Sequence, residues 1–294
     1  MTDLTVILKE KRPNLSEGSL RTYKSILTNI YRKCFPTDEE IHIAKLNDDE
    51  CVMKHLKDVP FSKRKTTLAA LVVLTGNKKY TELMTSDIKE FNDKNELQEA
   101  DGKFENMLPF SEVEAILKSL EKQAKQIYSK DKLDMSDFQK IQQYVLLSLT
   151  GGVYMAPRRS LDWVMKFKDY DAEKDNFFDL KGKRFVFNIF KTKKSKGQQV
   201  IEVPKPLLAI LKKWISILPT DETHLLFDGK GNPITPSQIT HRLNTIFDKP
   251  ISTSMLRHIY LTSKFSGVNL KELNDTADAM GQSNISTTLS YVKK

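Results

Sequence analysis

The chain has few cysteines and no long apolar run, and each of these absences makes a class of protein less probable. Cysteine occurs twice, at Cys34 and Cys51, which is too few for a disulfide framework and matches no metal-ligand spacing. A reducing intracellular compartment is therefore the expected location. The longest apolar run, LAALVVL at 68–74, is far shorter than the roughly 20 residues that span a bilayer. The first residues also lack the basic-then-apolar pattern of a secretory signal, so no membrane partner is expected.

What remains is an ordinary globular composition with an excess of basic residues. Apolar residues make up 39% and charged residues 29% of the 294 positions, as in typical soluble domains. Lysine and arginine total 47 against 38 acidic residues, for a formal net charge of +9. This balance favours a polyanionic partner, and nucleic acid is the first candidate.

Helical periodicity dominates the first hundred residues. Apolar side chains recur at three- and four-residue steps at Leu20, Tyr23, Leu27, Ile30 and Cys34. A second helix is predicted over 61–77, with Gly76 as its C-terminal stop, and a third over 78–94. The sequence therefore predicts a small helical bundle.

Three basic residues, Lys63, Arg64 and Lys65, stand at the start of the second predicted helix. Positive charge is unfavourable there because the N-terminal end of a helix dipole is itself positive. We therefore expect these side chains to face an anionic partner.

A polar segment at 92–107 has no apolar periodicity and is predicted to link two domains, at 1–91 and 108–294. The second domain begins with a predicted helix whose Ser111 and Glu114 have the spacing of a capping box. Further helices follow along the rest of the chain.

One β-hairpin is predicted within the second domain. RFVFNIF at 184–190 alternates on a two-residue period, QQVIEVP at 198–204 pairs with it, and the basic segment KTKKSKG forms the turn. The predicted fold class is thus mainly α with a small antiparallel β-sheet.

Four short boxes in the second domain carry side chains suited to phosphate chemistry. In chain order they are APRRSLDW with Arg158 and Arg159, the hairpin turn with Lys191, Lys194 and Lys196, SMLRHIYLTS with Arg257 and His258, and GQSNISTTLSYVKK with Tyr291. Each box alone has an ordinary structural explanation, such as arginines that bind a carboxylate or lysines that protect a strand edge. The order of the four boxes is more specific than any one of them.

This order, arginine, hairpin lysine, LRH in a helix and G-x-S-x-x-x-T-T-x-x-Y, resembles the tyrosine recombinase (phage-type integrase) family. The resemblance covers about 107–294, and SLRTYKSIL is similar to the opening helix of the DNA-clamping domain that these enzymes carry. KTKKSKGQQ and PRRSLDW are nearest in pattern to integrases of large eukaryotic DNA viruses and their mobile elements.

The resemblance implies a helical core-DNA-binding domain and an α+β catalytic domain. It implies that double-stranded DNA is cleaved and rejoined through a 3′-phosphotyrosyl intermediate, without metal or cofactor. A homotetramer on DNA, a monomer or dimer when free, and a nuclear or viral-factory location in a eukaryotic host are also implied.

The same resemblance assigns roles to the charged boxes. Tyr291 is the nucleophile, and Arg159 and Arg257 bind the phosphate oxygens, because planar guanidinium groups match phosphate geometry and stay charged. Arg159 is preferred to Arg158 because the family's arginine is followed three residues later by an acid, as Arg159 is by Asp162. Arg158 is then a phosphate contact or a supporting group.

The lysine assignment leaves two alternatives. Lys191, which ends the first strand as KT, is preferred as general acid because the strand alternation before it is clear. Lys196 is selected instead by counting back from the proline that ends the second strand.

Two family histidines are replaced here, by Ser254 and Gln282. Both donate hydrogen bonds, but neither is a base near neutral pH, so lower activity is expected. The predicted DNA contacts are Arg158, Lys194, Lys196, His258, Lys63, Arg64 and Lys65. Two other functions stay open, a type IB topoisomerase and a catalytically weak DNA-binding or packaging protein that keeps the fold.

Overall fold

The computed structural model describes residues 3–47, 50–96, 106–265 and 270–282. The chain forms two compact units, Met1–Asp101 and Gly102–Lys294. Their boundary lies inside the segment predicted as a linker. The functions predicted for the two domains stay predictions.

The regular elements in the described part of the first unit are all helices. Its helices are α1 (Leu4–Lys11), α2 (Glu17–Cys34), α3 (Glu50–Lys57), α4 (Phe61–Thr75) and α5 (Lys78–Glu96). The side chain of Ser16 caps α2 by accepting a hydrogen bond from the Ser19 amide. Gly76 ends α4 in the left-handed conformation, as predicted.

The periodic face of α2 is buried in the core of this unit. Leu20, Leu27 and Ile30 pack in one cluster with Leu68 and Leu71 of α4. The prediction that began the linker at 92 is wrong, because α5 continues as helix to Glu96.

The basic start of α4 has an internal partner. The guanidinium of Arg64 donates two hydrogen bonds to the carboxylate of Asp87 on α5, at 2.9 and 2.7 Å. Asp87 is buried, and this pair raises the pKa of Arg64. Lys65 lies over the ring of Phe91, and burial lowers the pKa of its ammonium group. The anionic group that Arg64 faces is therefore a carboxylate of its own unit, and Lys63 is the exposed member of the three.

The two cysteines form a disulfide bond, which the sequence pattern did not predict. Cys34, the last residue of α2, is joined to Cys51 of α3, with Cα atoms 5.6 Å apart. That separation is usual for a disulfide. The bond closes the segment between the two helices.

The second unit contains all the described strands. Its elements are α6 (Phe110–Ile127), α7 (Met135–Thr150), β1 (Phe177–Asp179), β2 (Arg184–Phe187), α8 (Lys193–Lys196), β3 (Gln199–Glu202), α9 (Lys205–Ile215), α10 (Pro236–Phe247), α11 (Thr253–Lys264) and α12 (Leu270–Ala279). The predicted class, mainly α with a small antiparallel sheet, is confirmed. Among the helices of the described residues, none is long and apolar enough to cross a membrane.

The sheet is antiparallel, in the order β1-β2-β3. The predicted hairpin pairs as expected, with Arg184 opposite Glu202 and Val186 opposite Val200. β2, the first strand of the predicted hairpin, ends at Phe187, whereas the sequence predicted a strand over 184–190. The helix α8 occupies part of the basic turn.

Helix caps in this unit differ in part from the prediction. The expected capping box at Ser111 is wrong, because α6 begins at Phe110 after Pro109, with no side-chain cap bond. A capping box does form at Asp134, which caps α7 with Asp137.

Candidate functional site

A buried ion pair lies at the centre of the second unit. Arg158 has no exposed surface, and its Nε donates to Oδ2 of Asp162 at 2.8 Å. Its two terminal nitrogens donate to the Ala279 carbonyl at 2.7 Å and to Oε1 of Gln199 at 2.9 Å. The guanidinium also lies 4.0 Å from the centre of the Phe187 ring, a cation–π contact. Arg158 therefore connects the arginine box, β2, β3 and the end of α12.

Asp162 is a buried carboxylate whose bonded partner is Arg158. Burial raises its pKa above the ordinary carboxyl value, and the positive charges of Arg158, Arg159 and Arg257 oppose that rise. Arg158 bonds to this carboxylate directly, and Arg159 and Arg257 act on it through their charge.

Asp162 pairs with Arg158, four residues earlier, and not with Arg159, which the spacing selected as the catalytic arginine. Arg159 is half-buried, and its Nη1 donates to the Gly281 carbonyl at 3.1 Å. The full burial of Arg158 makes it a supporting group in this structure, and it has no surface to offer to DNA.

The Gly281 carbonyl connects the hairpin to the arginine box. The hydroxyl of Thr192, which follows Lys191, donates to this carbonyl at 2.6 Å, and Arg159 donates to the same oxygen. Gly281 has a φ of +65°, a region that glycine adopts without strain. A Cβ at this position would lie 2.9 Å from Nη2 of Arg158. Only a glycine therefore fits without displacing the arginine.

The hairpin lysines differ in their surroundings. Lys196 forms an ion pair with Asp278 of α12, and the side-chain amide of Gln199 donates to the Asp278 carbonyl. Lys191 and Lys194 are exposed. Within the ranges that the structure describes, Lys191 makes no hydrogen bond or ion pair.

The predicted site residues of α11 lie in two different environments. Arg257 and His258 are buried, whereas Ser254 is exposed on the first turn. The prediction that His258 contacts DNA is not met in this structure, because the helix turns that residue into the protein interior. Arg257, at 1% exposure, lies beneath the surface as well.

Two contacts hold α11 against the arginine box. The hydroxyls of Ser160 and Thr253 form a hydrogen bond of 3.0 Å. Gly152, with a φ of +86°, lies directly against Tyr260, whose ring atom Cδ2 would be 2.7 Å from an added Cβ. The glycine thereby lets α11 approach the loop that precedes the arginines.

Of the last box, GQSNISTTLSYVKK, the structure describes Gly281 and Gln282. Gln282 is buried, and its backbone amide donates to the Ala277 carbonyl at 2.8 Å. Tyr291, the predicted nucleophile, lies outside the described residues.

Sequence reasoning missed four residues that assemble this site. They are Thr192, Gln199, Asp278 and Gly281, each of which bonds to one of the predicted basic side chains or to their shared carbonyl. Thr192 belongs to the KT dipeptide of the hairpin, and Gly281 belongs to the GQ dipeptide of the last box. Neither side chain is charged, so the sequence pattern assigns no role to either residue. Only the folded arrangement shows that they connect the boxes.

A Gly281→Ala substitution tests this packing. We expect it to lower the free energy of unfolding by about 1–3 kcal/mol more than the control Gly231→Ala, because the new methyl group displaces Arg158. Gly231 also has a positive φ, of +81°, but an added Cβ there would meet no atom within 4 Å. The control therefore isolates the backbone strain, about 1–2 kcal/mol. Urea unfolding measures both, and equal losses would show that the Gly281–Arg158 contact is unimportant.

Comparison with known proteins gives one structural similarity. No protein-family model and no curated protein matches the chain. The solved structure described as "Crystal structure of XerA recombinase" is similar at 13% sequence identity and a TM-score of 0.41, covering 100% of this chain and 94% of that chain.

Proposed function

We propose that this protein cleaves and rejoins DNA strands through a tyrosine that becomes covalently linked to the 3′-phosphate. The single observation that carries the proposal is the position of Arg159 beside the basic hairpin, where Arg159 and Thr192 donate hydrogen bonds to the same Gly281 carbonyl. The resemblance of the four boxes to tyrosine recombinases supports it. Within the proposal, the protein acts as an integrase or site-specific recombinase of a virus or mobile element, assembled as a homotetramer on DNA.

The chemistry accounts for the residue types. The Tyr291 oxygen attacks the phosphorus, its proton passes to solvent, and the 5′-oxygen leaves as a hydroxyl after it takes a proton from a general acid. Extra negative charge develops on the two non-bridging oxygens, and guanidinium groups stabilise that charge. Arg159 is half-buried and Arg257 is buried, so contact with a phosphate requires the residues that cover Arg257 to move.

Two other functions fit parts of the same site. A type IB topoisomerase would use the same residues to relax supercoils without joining two DNA molecules. A DNA-binding protein without catalysis is favoured by Ser254 and Gln282, neither of which is a base at neutral pH. These functions differ in their products.

A nicked suicide duplex distinguishes the three functions. The short 3′ fragment dissociates after cleavage, so a covalent protein–DNA adduct accumulates, and mass mapping identifies the linked residue. We expect an adduct that forms in the presence of a metal chelator, together with joining of two duplexes. DNA binding without any adduct would contradict the proposal, and relaxation without joining would favour the topoisomerase.

Lys191 is the proposed general acid, because Lys196 is paired with Asp278 while Lys191 is exposed next to Thr192. We expect Lys191→Ala to slow cleavage by about 10²–10⁴-fold, the usual contribution of general acid catalysis. A substrate whose 5′-bridging oxygen is replaced by sulfur should restore the rate, since a thiolate leaves without a proton.

Lys196→Ala is the matched control from the same turn. It should bind DNA more weakly, with little change in the cleavage rate at saturating DNA, and the sulfur substrate should not alter its relative rate. If the sulfur substrate rescues Lys196→Ala and not Lys191→Ala, the general acid is Lys196.

A further inference from the structure

The first unit places three metal-ligating side chains together. They are Cys34 at the end of α2 and Cys51 and His55 on α3. One donor atom from each, the two Sγ atoms and a ring nitrogen, lie within 4.8 Å of one another. All three residues are half-buried, so the cluster is accessible to a small ion.

Two of the three side chains are close in the sequence, and the third is distant. Cys51 and His55 are four residues apart, so they lie on the same face of α3, one turn from each other. Two ligands at this spacing on a helix are a known arrangement for zinc. The third ligand, Cys34, comes from a different helix and joins them only in the folded unit.

The chemistry of these donors selects a particular class of metal. Thiolate and imidazole groups bind zinc, whereas magnesium and calcium prefer oxygen ligands. Two sulfurs bound to one tetrahedral zinc lie about 3.8 Å apart, given Zn–S bonds of about 2.3 Å. A separation of this size is within the reach of two side chains whose backbones already permit a disulfide.

We propose that Cys34, Cys51 and His55 form a redox-controlled zinc site, with water as the fourth ligand. In the disulfide form the sulfurs are bonded to each other and bind no metal. A dithiol reductant transfers two electrons and two protons, the S–S bond breaks to give two thiols, and the reductant becomes a disulfide. Zinc then displaces the two thiol protons, so that two thiolates and the neutral imidazole bind the ion.

Metal titration of the full chain in its two redox states tests this site. Protein reduced with a phosphine and desalted under nitrogen is titrated with zinc against a chromophoric chelator, and with cobalt as a spectroscopic probe. We expect one zinc per reduced chain, a thiolate-to-cobalt charge-transfer band in the near ultraviolet, and no binding by the oxidised chain.

Variants separate the ligands from a general effect of reduction. Cys34→Ser and Cys51→Ser should each abolish the charge-transfer band or reduce it by about half, and His55→Gln should weaken zinc binding by at least about tenfold. His42→Gln is the matched control, since His42 belongs to the same unit and lies outside the cluster. Circular dichroism checks that each variant is folded.

Three results would overturn the proposal. They are failure of the reduced chain to bind zinc, equal binding by the oxidised chain, and a His55→Gln protein that binds zinc as tightly as the His42→Gln control. None of these measurements involves DNA, so they are independent of the proposed cleavage activity.

Discussion

A Tyr291→Phe protein is expected to form no covalent adduct with a nicked duplex, while it still binds that duplex with normal affinity. The substitution removes a single oxygen, the atom that attacks the phosphorus in the proposed mechanism, and keeps the aromatic ring. Loss of an enzyme nucleophile typically lowers the rate by about 10⁴-fold or more, so cleavage should fall below detection. Gel separation of protein–DNA adducts measures cleavage, and fluorescence anisotropy measures binding.

A second tyrosine provides the control for this result. Tyr170 stacks on Phe177, with ring centres 4.0 Å apart, and lies half-buried in the second unit. Tyr170→Phe keeps that stacking and should cleave DNA at the normal rate. An adduct that persists in Tyr291→Phe, or that maps to another residue in the wild-type protein, would refute the assignment of the nucleophile.

An Arg158→Ala protein is expected to lose about 3–5 kcal/mol of folding stability, the usual cost of removing one partner of a buried ion pair. The substitution leaves the carboxylate of Asp162 buried without its bonded partner, and it also frees Oε1 of Gln199 and the Ala279 carbonyl. Urea unfolding measures the loss.

Two further variants identify the cause of that loss. Arg184→Ala breaks an exposed pair with Asp179 in the same unit and should cost less than about 1 kcal/mol. The double variant Arg158→Met/Asp162→Leu should recover most of the stability, because an apolar pair avoids the cost of burying charge. An Arg158→Ala protein as stable as Arg184→Ala would show that the buried pair contributes little to folding.

The helices were largely predictable because each depends on local pattern. The three- and four-residue steps that predicted α2 are the buried positions Leu20, Leu27 and Ile30, and Gly76 ends α4 where a left-handed residue was expected. The three-residue strand β1 was missed because so short a segment contains too little alternation to distinguish it from a loop. The cap at Ser111 was wrong because α6 begins one residue earlier, at Phe110 after Pro109, which places Ser111 inside the helix.

The details of the site were less predictable because they depend on the direction of side chains in an irregular segment. Asp162 lies in the short 3-10 helix Ser160–Trp163 and pairs with Arg158, a choice between neighbouring arginines that spacing alone does not make. The Cys34–Cys51 bond likewise depends on how α2 and α3 pack, which no spacing in the chain reveals. The four boxes predicted candidate site residues, and the fold determines which of them are buried.

The two contacts between α11 and the arginine loop have an entropic consequence. An arginine side chain loses up to about 2 kcal/mol of rotamer freedom when it is held in one position. The Ser160–Thr253 hydrogen bond and the close approach of Gly152 to Tyr260 hold the two arginine-bearing segments together. Arg159 is also held by the Gly281 carbonyl, so much of its rotamer entropy is lost on folding and not when the proposed phosphate binds.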